Sequence, residues 1–259
     1  MPALEDRVAL VTGASRGIGA GLARAFHRRG LKLALCARSE PAEGALPRDP
    51  HRIHYGRVDV TDYDALDRFA ETVEKRLGPI ELWVNNAGLL EPITPVREGD
   101  PGAVRKHLEV NVLGVFHGMR IYLGRLHAAG RTGTIVNITS GAAQVPYEGW
   151  GAYCAGKAAV DMLTRVAARE ERAHGNRIHA LAPSVVATDM QELIRRQSAH
   201  DFPAVERFRE LHASGALLDA ESPAPAILRL AFGDPLPEDA VVLDVRSSPE
   251  LRDLGDFAG

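Results

Sequence analysis

Tyr153 and Lys157 stand four residues apart in the run Tyr153-Cys154-Ala155-Gly156-Lys157, and Ser140 stands 13 residues ahead of the tyrosine. On a helix, residues i and i+4 share a face, so the phenol and the ammonium would be neighbours. A free tyrosine has a pKa near 10 and is a poor proton donor or acceptor at neutral pH. A cation within about 4–6 Å lowers the pKa of an adjacent acid by about 1–3 units, which would move the phenol toward the range where proton transfer is efficient. A serine hydroxyl aimed at the same point could donate a hydrogen bond to an oxygen on which charge develops. The chemistry that suits such a trio is proton exchange with a carbonyl or alcohol oxygen. A Tyr–Lys pair at this spacing is more often solvated surface, so the rest of the chain must supply the context.

A second feature does so. Thr12-Gly13-Ala14-Ser15-Arg16-Gly17-Ile18-Gly19 lies between a short apolar run, Arg7–Thr12, and a helical pattern from about Ile18 to Arg29. A glycine turn there lets backbone approach a pyrophosphate, and the following helix offers unpaired N–H groups and the positive end of its dipole. The spacing is G-x-x-x-G-x-G, and a purely structural turn is the alternative reading.

These groups must be held by alternating strands and helices. Apolar runs at Leu31–Ala37, Ile53–Val60, Ile80–Val84, Gly133–Ile138, Arg177–Leu181 and Val241–Val245 read as further strands. Helical patterns fall between them: one capped by Thr61 and stopped at Gly78, a long one from Pro101 to Ala129, one after Gly151, and shorter ones at Val205–His212 and Pro225–Phe232. Strands alternating with helices predict βαβ units and a parallel sheet. The Pro-rich patches are short connectors, and residues 1–259 read as one domain.

The glycine turn, Asn86-Ala87-Gly88 after the fourth strand, Ser140 at the end of the fifth and Tyr153-x-x-x-Lys157 together resemble the short-chain dehydrogenase/reductase family, over essentially the whole chain. The resemblance implies an α/β fold: a Rossmann-like doubly wound sheet of about seven mostly parallel strands with helices on both faces. It also implies hydride transfer from a nicotinamide to a carbonyl carbon. Tyr153 would protonate the oxygen, Ser140 would hydrogen-bond it, and Lys157 would bond the nicotinamide ribose and lower the tyrosine pKa. Asn111 matches the family's asparagine that holds a water beside the lysine; an isolated Asn in an apolar helix otherwise reads as a kink or a core hydrogen bond. Cofactor contacts are implied for Gly13, Ser15, Arg16, Gly17, Ile18 and Gly19, for Asn86, Ala87 and Gly88, and for Pro183, Val186 and Thr188, the last on the carboxamide. Asp59 and Val60 would cradle the adenine, although Asp59 also reads as a plain turn residue.

Enzymes of this fold that use NAD place an acid at the end of the second strand. Here that position reads Cys36-Ala37-Arg38-Ser39. Arg38, with Ser39 beside it and Arg16 on the other side, could instead pair with a 2′-phosphate, so NADP(H) is expected.

Around the tyrosine, GWGAYCAGKAAVDML, and after the sixth strand, APSVVATDMQ, the chain is similar to sepiapterin reductases and the bacterial dicarbonyl (benzil) reductases. By that resemblance Asp244 would anchor a substrate edge, together with Ser140 and Tyr153; a strand-end Asp capping a turn is the even alternative. Two positions depart from the pattern: Ser184 replaces the glycine usually found after the proline, where a Cβ could shift the loop over the nicotinamide, and Ala187 stands where an Asp is usual. The expected activity is therefore NADPH-dependent reduction of a ketone or α-dicarbonyl. The rivals are a catalytically idle NADP-binding sensor or interaction protein, and an alcohol dehydrogenase running in the oxidising direction.

Composition bounds the rest. The 259 residues are 45% hydrophobic and 25% charged, with a net charge of -3. That charge gives no field for nucleic acid or anionic membrane. Two cysteines make no disulfide framework or zinc site, and no metal is expected. The opening segment does not read as a signal peptide and no run approaches the roughly 18 apolar residues of a membrane span, so a cytoplasmic location is expected. Apolar residues on more than one side of the helices around Leu108–Leu126 and Tyr153–Ala168 predict a homodimer or homotetramer. Trp83, His107 and Met119 read as core or surface fillers.

Overall fold

The computed structural model describes residues 4–251. Seven strands form one parallel sheet in the order β3-β2-β1-β4-β5-β6-β7: β1 Val8–Thr12, β2 Lys32–Ala37, β3 Ile53–Arg57, β4 Ile80–Asn85, β5 Thr134–Ile138, β6 Arg177–Ala182 and β7 Val242–Asp244. The helices are α1 Gly17–Arg28, α2 Tyr63–Leu77, α3 Pro101–Leu108, α4 Gly114–Ala129, α5 Gly151–Glu171, α6 Asp189–Arg195, α7 Val205–Ala213 and α8 Ala224–Phe232. This is the expected doubly wound Rossmann-like architecture.

Its cause is visible strand by strand. β1 is wholly buried and β2 nearly so, which requires apolar side chains on both faces and a helical layer over each. On one face Leu22 and Phe26 of α1 and Ile227 and Leu230 of α8 pack against Ala9, Val11 and Leu33. On the other, Leu66 and Val73 of α2, Met119 and Tyr122 of α4 and Val160 of α5 pack against Leu10, Ala34 and Trp83. Trp83 and Met119 are core residues, as expected. Because the chain winds outward in both directions from β1 and β4, their carboxyl ends diverge and leave a crevice.

Several local expectations change. β3 ends at Arg57; Val58 still bonds the Ala37 carbonyl, and the next two residues turn toward the crevice. Asp62, not Thr61, caps α2, its carboxylate accepting from the Ala65 N–H at 2.9 Å, while Thr61 gives both its N–H and its hydroxyl to Asp59. The long helix is interrupted: Glu109–Leu113 is one π-helical turn between α3 and α4. Helix α6 is too short to show a period in the sequence. Among the described residues no helix is long and apolar enough to cross a membrane, and no acid, His or Cys cluster could hold a metal.

Candidate active site

A cleft of about 730 Å³ opens at the carboxyl edge of the sheet. The glycine turn forms its floor. Gly13 and Gly17 have φ of +66° and +56°, which L side chains rarely adopt. A Cβ at Gly13 would lie 2.6 Å from Ala87 Cα, and one at Gly19 would lie 2.4 Å from the Gly13 carbonyl oxygen, so these two positions of the turn admit no side chain. Asn86 fastens it: Nδ2 donates to the carbonyls of Thr12 (2.8 Å) and Gly13 (3.1 Å), and Thr12 Oγ1 accepts the N–H groups of Asn86 and Ala87. The side chain of Asn86 therefore shapes the turn from behind, and the cleft receives the start of α1.

At one end the wall is Arg38, Ser39, Asp59 and Val60. Arg57, which the sequence reading passed over as an ordinary strand residue, joins them. With Arg38, Val58 and Asp59 it lines a notch beside the main cleft, and its Nε donates to the Arg38 carbonyl. Arg16 lines the same cleft and pairs with Asp189 at the start of α6 (3.2 Å). Asp59 Oδ1 is occupied by Thr61, the turn alternative, while the residue still lines the cleft.

At the other end Ser140, just past β5, meets Tyr153 and Lys157, which α5 presents on one face as their spacing requires. Tyr153 is buried, and burial pushes its phenol above the ordinary 10; the hydrogen bond with Ser140 opposes this. Lys157 stands beside the phenol's ring. Its Nζ lies 5.8 Å from the tyrosine ring centroid and donates to the Ile138 carbonyl at 2.8 Å. Lys157 is itself 6% exposed, and burial brings its pKa down to about 8 against the opposing pull of Asp161.

Asn111 sits in the π turn, fully buried, with its amide committed to backbone: Oδ1 accepts the Leu89 N–H and Nδ2 donates to the Leu89 carbonyl, both at 2.7 Å. A Cβ on Gly88 would stand 3.5 Å from Asn111 Oδ1 and 3.9 Å from Lys157 Nζ, which brings the Asn111 amide, the 88–89 loop and the lysine together. His107 adjoins them, fully buried, with a ring nitrogen 2.9 Å from Asn111 Nδ2. Its burial agrees with a core position, and its spacing from Asn111 on one helix face is what brings the two side chains together.

Past Tyr153 the cleft becomes aromatic. Trp150 stacks on Phe202 (centroids 4.4 Å apart, 9° between planes), with Tyr147 and Phe208 around them. Arg207 donates to the Tyr147 hydroxyl at the rim. Pro183, Val186 and Thr188 line the side nearest the glycine turn, and Thr188 Cγ2 would touch a Cβ on Gly17 at 3.4 Å. Ser184 takes φ +67°, a left-handed conformation that L side chains rarely adopt. Asp244 lines the cleft, but its Oδ1 caps the N–H groups of Arg246 and Ser247, the turn-cap alternative.

Known proteins resemble this chain in sequence and in fold. The family model for short chain dehydrogenase matches residues 7–199. A benzil reductase ((S)-benzoin forming) of Bacillus subtilis is 30% identical over 223 residues, 85% of this chain and 91% of that one. A cis-4-hydroxycyclohexanecarboxylate dehydrogenase of Sinomonas cyclohexanicum is 37% identical over 73% of this chain and 76% of its own. The crystal structure of the short chain dehydrogenase/reductase YIR035C from Saccharomyces cerevisiae superposes with a TM-score of 0.86 at 31% identity, covering 96% of this chain and 99% of that one. The family model spans well over half of the residues and the yeast enzyme shares the fold over nearly all of them, so this chain is a short-chain dehydrogenase/reductase.

Proposed function

We propose that this oxidoreductase is an NADPH-dependent reductase of ketones or α-dicarbonyls, with Tyr153 as the proton donor. The observation that carries the reading is the convergence of Ser140, Tyr153 and Lys157 on the boundary between the glycine-floored half of the cleft and its aromatic half. The benzil reductase relative supports a dicarbonyl.

The residues fit a bound dinucleotide. Gly13, Ser15, Gly17 and Ile18 would hold a pyrophosphate at the start of α1, Asp59 and Val60 would flank the adenine, and Lys157 would reach the ribose. Arg38 and Arg57, rather than Arg38 and Arg16, would take a 2′-phosphate, since both line the notch and no acid stands at the end of β2. When bound, the nicotinamide supplies the hydride. Ser140 would donate a hydrogen bond to the substrate oxygen, and Tyr153 would give it a proton. Burial holds the phenol in the protonated form from which a donor must start. The aromatic cluster of Tyr147, Trp150 and Phe208 would exclude water and accept an aryl or flat substrate.

A panel of benzil, diacetyl and sepiapterin, each with NADPH and NADH, tests the substrate class and the cofactor. Turnover of benzil or diacetyl with NADPH well ahead of NADH is expected. Turnover of none of them, or NADH preferred, would contradict the reading. Replacing both Arg38 and Arg57 by Leu should raise KM for NADPH about tenfold or more and leave that for NADH within about twofold, because a forked charge-assisted contact is worth about 1.5–3 kcal/mol.

A further inference from the structure

We propose that His107 is a positioning residue of this active site: as a neutral imidazole protonated on Nδ1, it locks the Asn111 amide and with it the 88–91 loop against Lys157. This rests on the reductase reading above for its kinetic consequence but not for its geometry.

The protonation pattern follows from which groups can only give and which can only take. Leu89 offers an N–H to Asn111 Oδ1 and a carbonyl to Asn111 Nδ2, which fixes the orientation of that amide. The second N–H of Nδ2 then points at His107 Nε2, 2.9 Å away, so Nε2 must accept. The carbonyl of Glu91 lies 2.8 Å from His107 Nδ1 and can only accept, so Nδ1 must carry the proton. The imidazole thus ties the π turn to the loop at two points, Leu89 through Asn111 and Glu91 directly. That loop follows Asn86-Ala87-Gly88 and lines the cleft.

A second observation is independent of these bonds. The ring lies edge-on to Tyr153, centroids 6.1 Å apart, and over Gly156, where a Cβ would come within 3.3 Å of Nε2. The glycine between Tyr153 and Lys157 leaves the space that the imidazole fills. The titratable groups of α5 that face the ring are Tyr153 and Lys157; the loop presents the Glu91 backbone. Burial, with Lys157 adding to it, holds His107 below the ordinary 6.5 despite the Glu91 bond. A second ring proton would set two N–H groups against each other and break the lock. Activity should therefore be full above the lowered pKa of His107 and fall as pH drops through it.

Three variants and one spectrum test this. Gln at 107 can keep an acceptor for Asn111 but carries no titrating proton, Leu keeps neither bond, and Gly156→Ala crowds the ring while favouring the helix. His107→Leu should lower kcat for benzil with NADPH by about tenfold or more, a misplacement effect, with KM for NADPH little changed. His107→Gln should restore most of that loss and shed the acid limb of kcat. Asp161, one turn beyond Lys157 and bonded to Thr139, titrates alike in both proteins, so the difference between the profiles isolates His107. Gly156→Ala should lose activity without losing thermal stability. Equal kcat in the wild type and His107→Leu, or an unchanged acid limb in His107→Gln, would overturn the proposal. 15N NMR of the histidine ring decides the protonation state without any substrate: an Nδ1–H neutral ring through neutral pH is expected, and an Nε2–H ring would overturn it. A wild type that reduces no carbonyl would count against the proposed reductase, while the spectrum would still decide the lock.

Discussion

Lys157 shows how a single residue can be held against its own preference. An amine 6% exposed with its pKa brought down to about 8 from 10.5 is a buried charge that the fold tolerates. Charged in both states at pH 7, it carries a folding penalty of roughly 3 kcal/mol, since each pKa unit is about 1.4 kcal/mol. Lys157→Met would remove that penalty and leave the Ile138 carbonyl without its donor, which costs about 1–3 kcal/mol. The expected outcome is loss of turnover with a Tm equal to or above that of the wild type, read by calorimetry beside an NADPH-oxidation assay; a marked fall in Tm would mean that the lysine is structural. Ser184 is the opposite case, strain retained in a loop. Ser184 holds φ +67°; a left-handed residue bearing a Cβ costs about 1–2 kcal/mol, so Ser184→Gly should raise Tm by about 2–8 °C for a chain of this length, and an unchanged or lower Tm would contradict the strain.

At the scale of elements, the sheet and its helices were legible because apolar runs bounded by glycine and capping residues repeat along the chain. The reactive trio was legible because its spacing falls on one helix face and one strand end. The π turn at 109–113 was not, since the apolar pattern of 101–129 continues through it and only the extra residue per turn distinguishes it. Arg57 was missed because a strand-end arginine has no signature of its own; only the β2–β3 pairing of Ala37 with Arg57 brings it beside Arg38. The second bond of His107 was not legible, because the Glu91 carbonyl lies 16 residues back along the chain. The helices α4 and α5 also carry an apolar surface. Val110, Val115 and Val160 are buried as the pattern requires, whereas Leu113, Phe116, Met162 and Val166 are exposed, 44–58% of each surface for the last three and 48% for Leu113. A homodimer through this face is the assembly we favour. Phe116→Arg combined with Met162→Glu should give a species near 28 kDa by light scattering, where the wild type gives about twice that mass; a wild-type monomer would exclude the dimer.

For the whole molecule, stability should fall on the acid side earlier than carboxylates alone would cause. Burial brings the His179 imidazole down to about 4, with Nδ1 tied to the Ala240 carbonyl on the last strand crossover. An unfolded histidine takes a proton near 6.5 and the folded one does not. Its contribution is therefore intact above about pH 6.5 and is lost progressively as pH falls toward 4, up to roughly 3 kcal/mol. Urea unfolding between pH 7 and 4.5 should show this decline, and His179→Gln should flatten it. The same sheet that buries His179 sets its carboxyl edge around the cleft, so stability and site draw on one framework.

The account rests most heavily on the proton of Tyr153. The direct test is the turnover of a diketone by the wild type and by Tyr153→Phe at saturating NADPH, with cofactor affinity measured in both by fluorescence. A loss of about 10²–10⁴ in kcat, the usual worth of a positioned acid, with affinity unchanged, is the predicted result. Equal rates in the two proteins would contradict it.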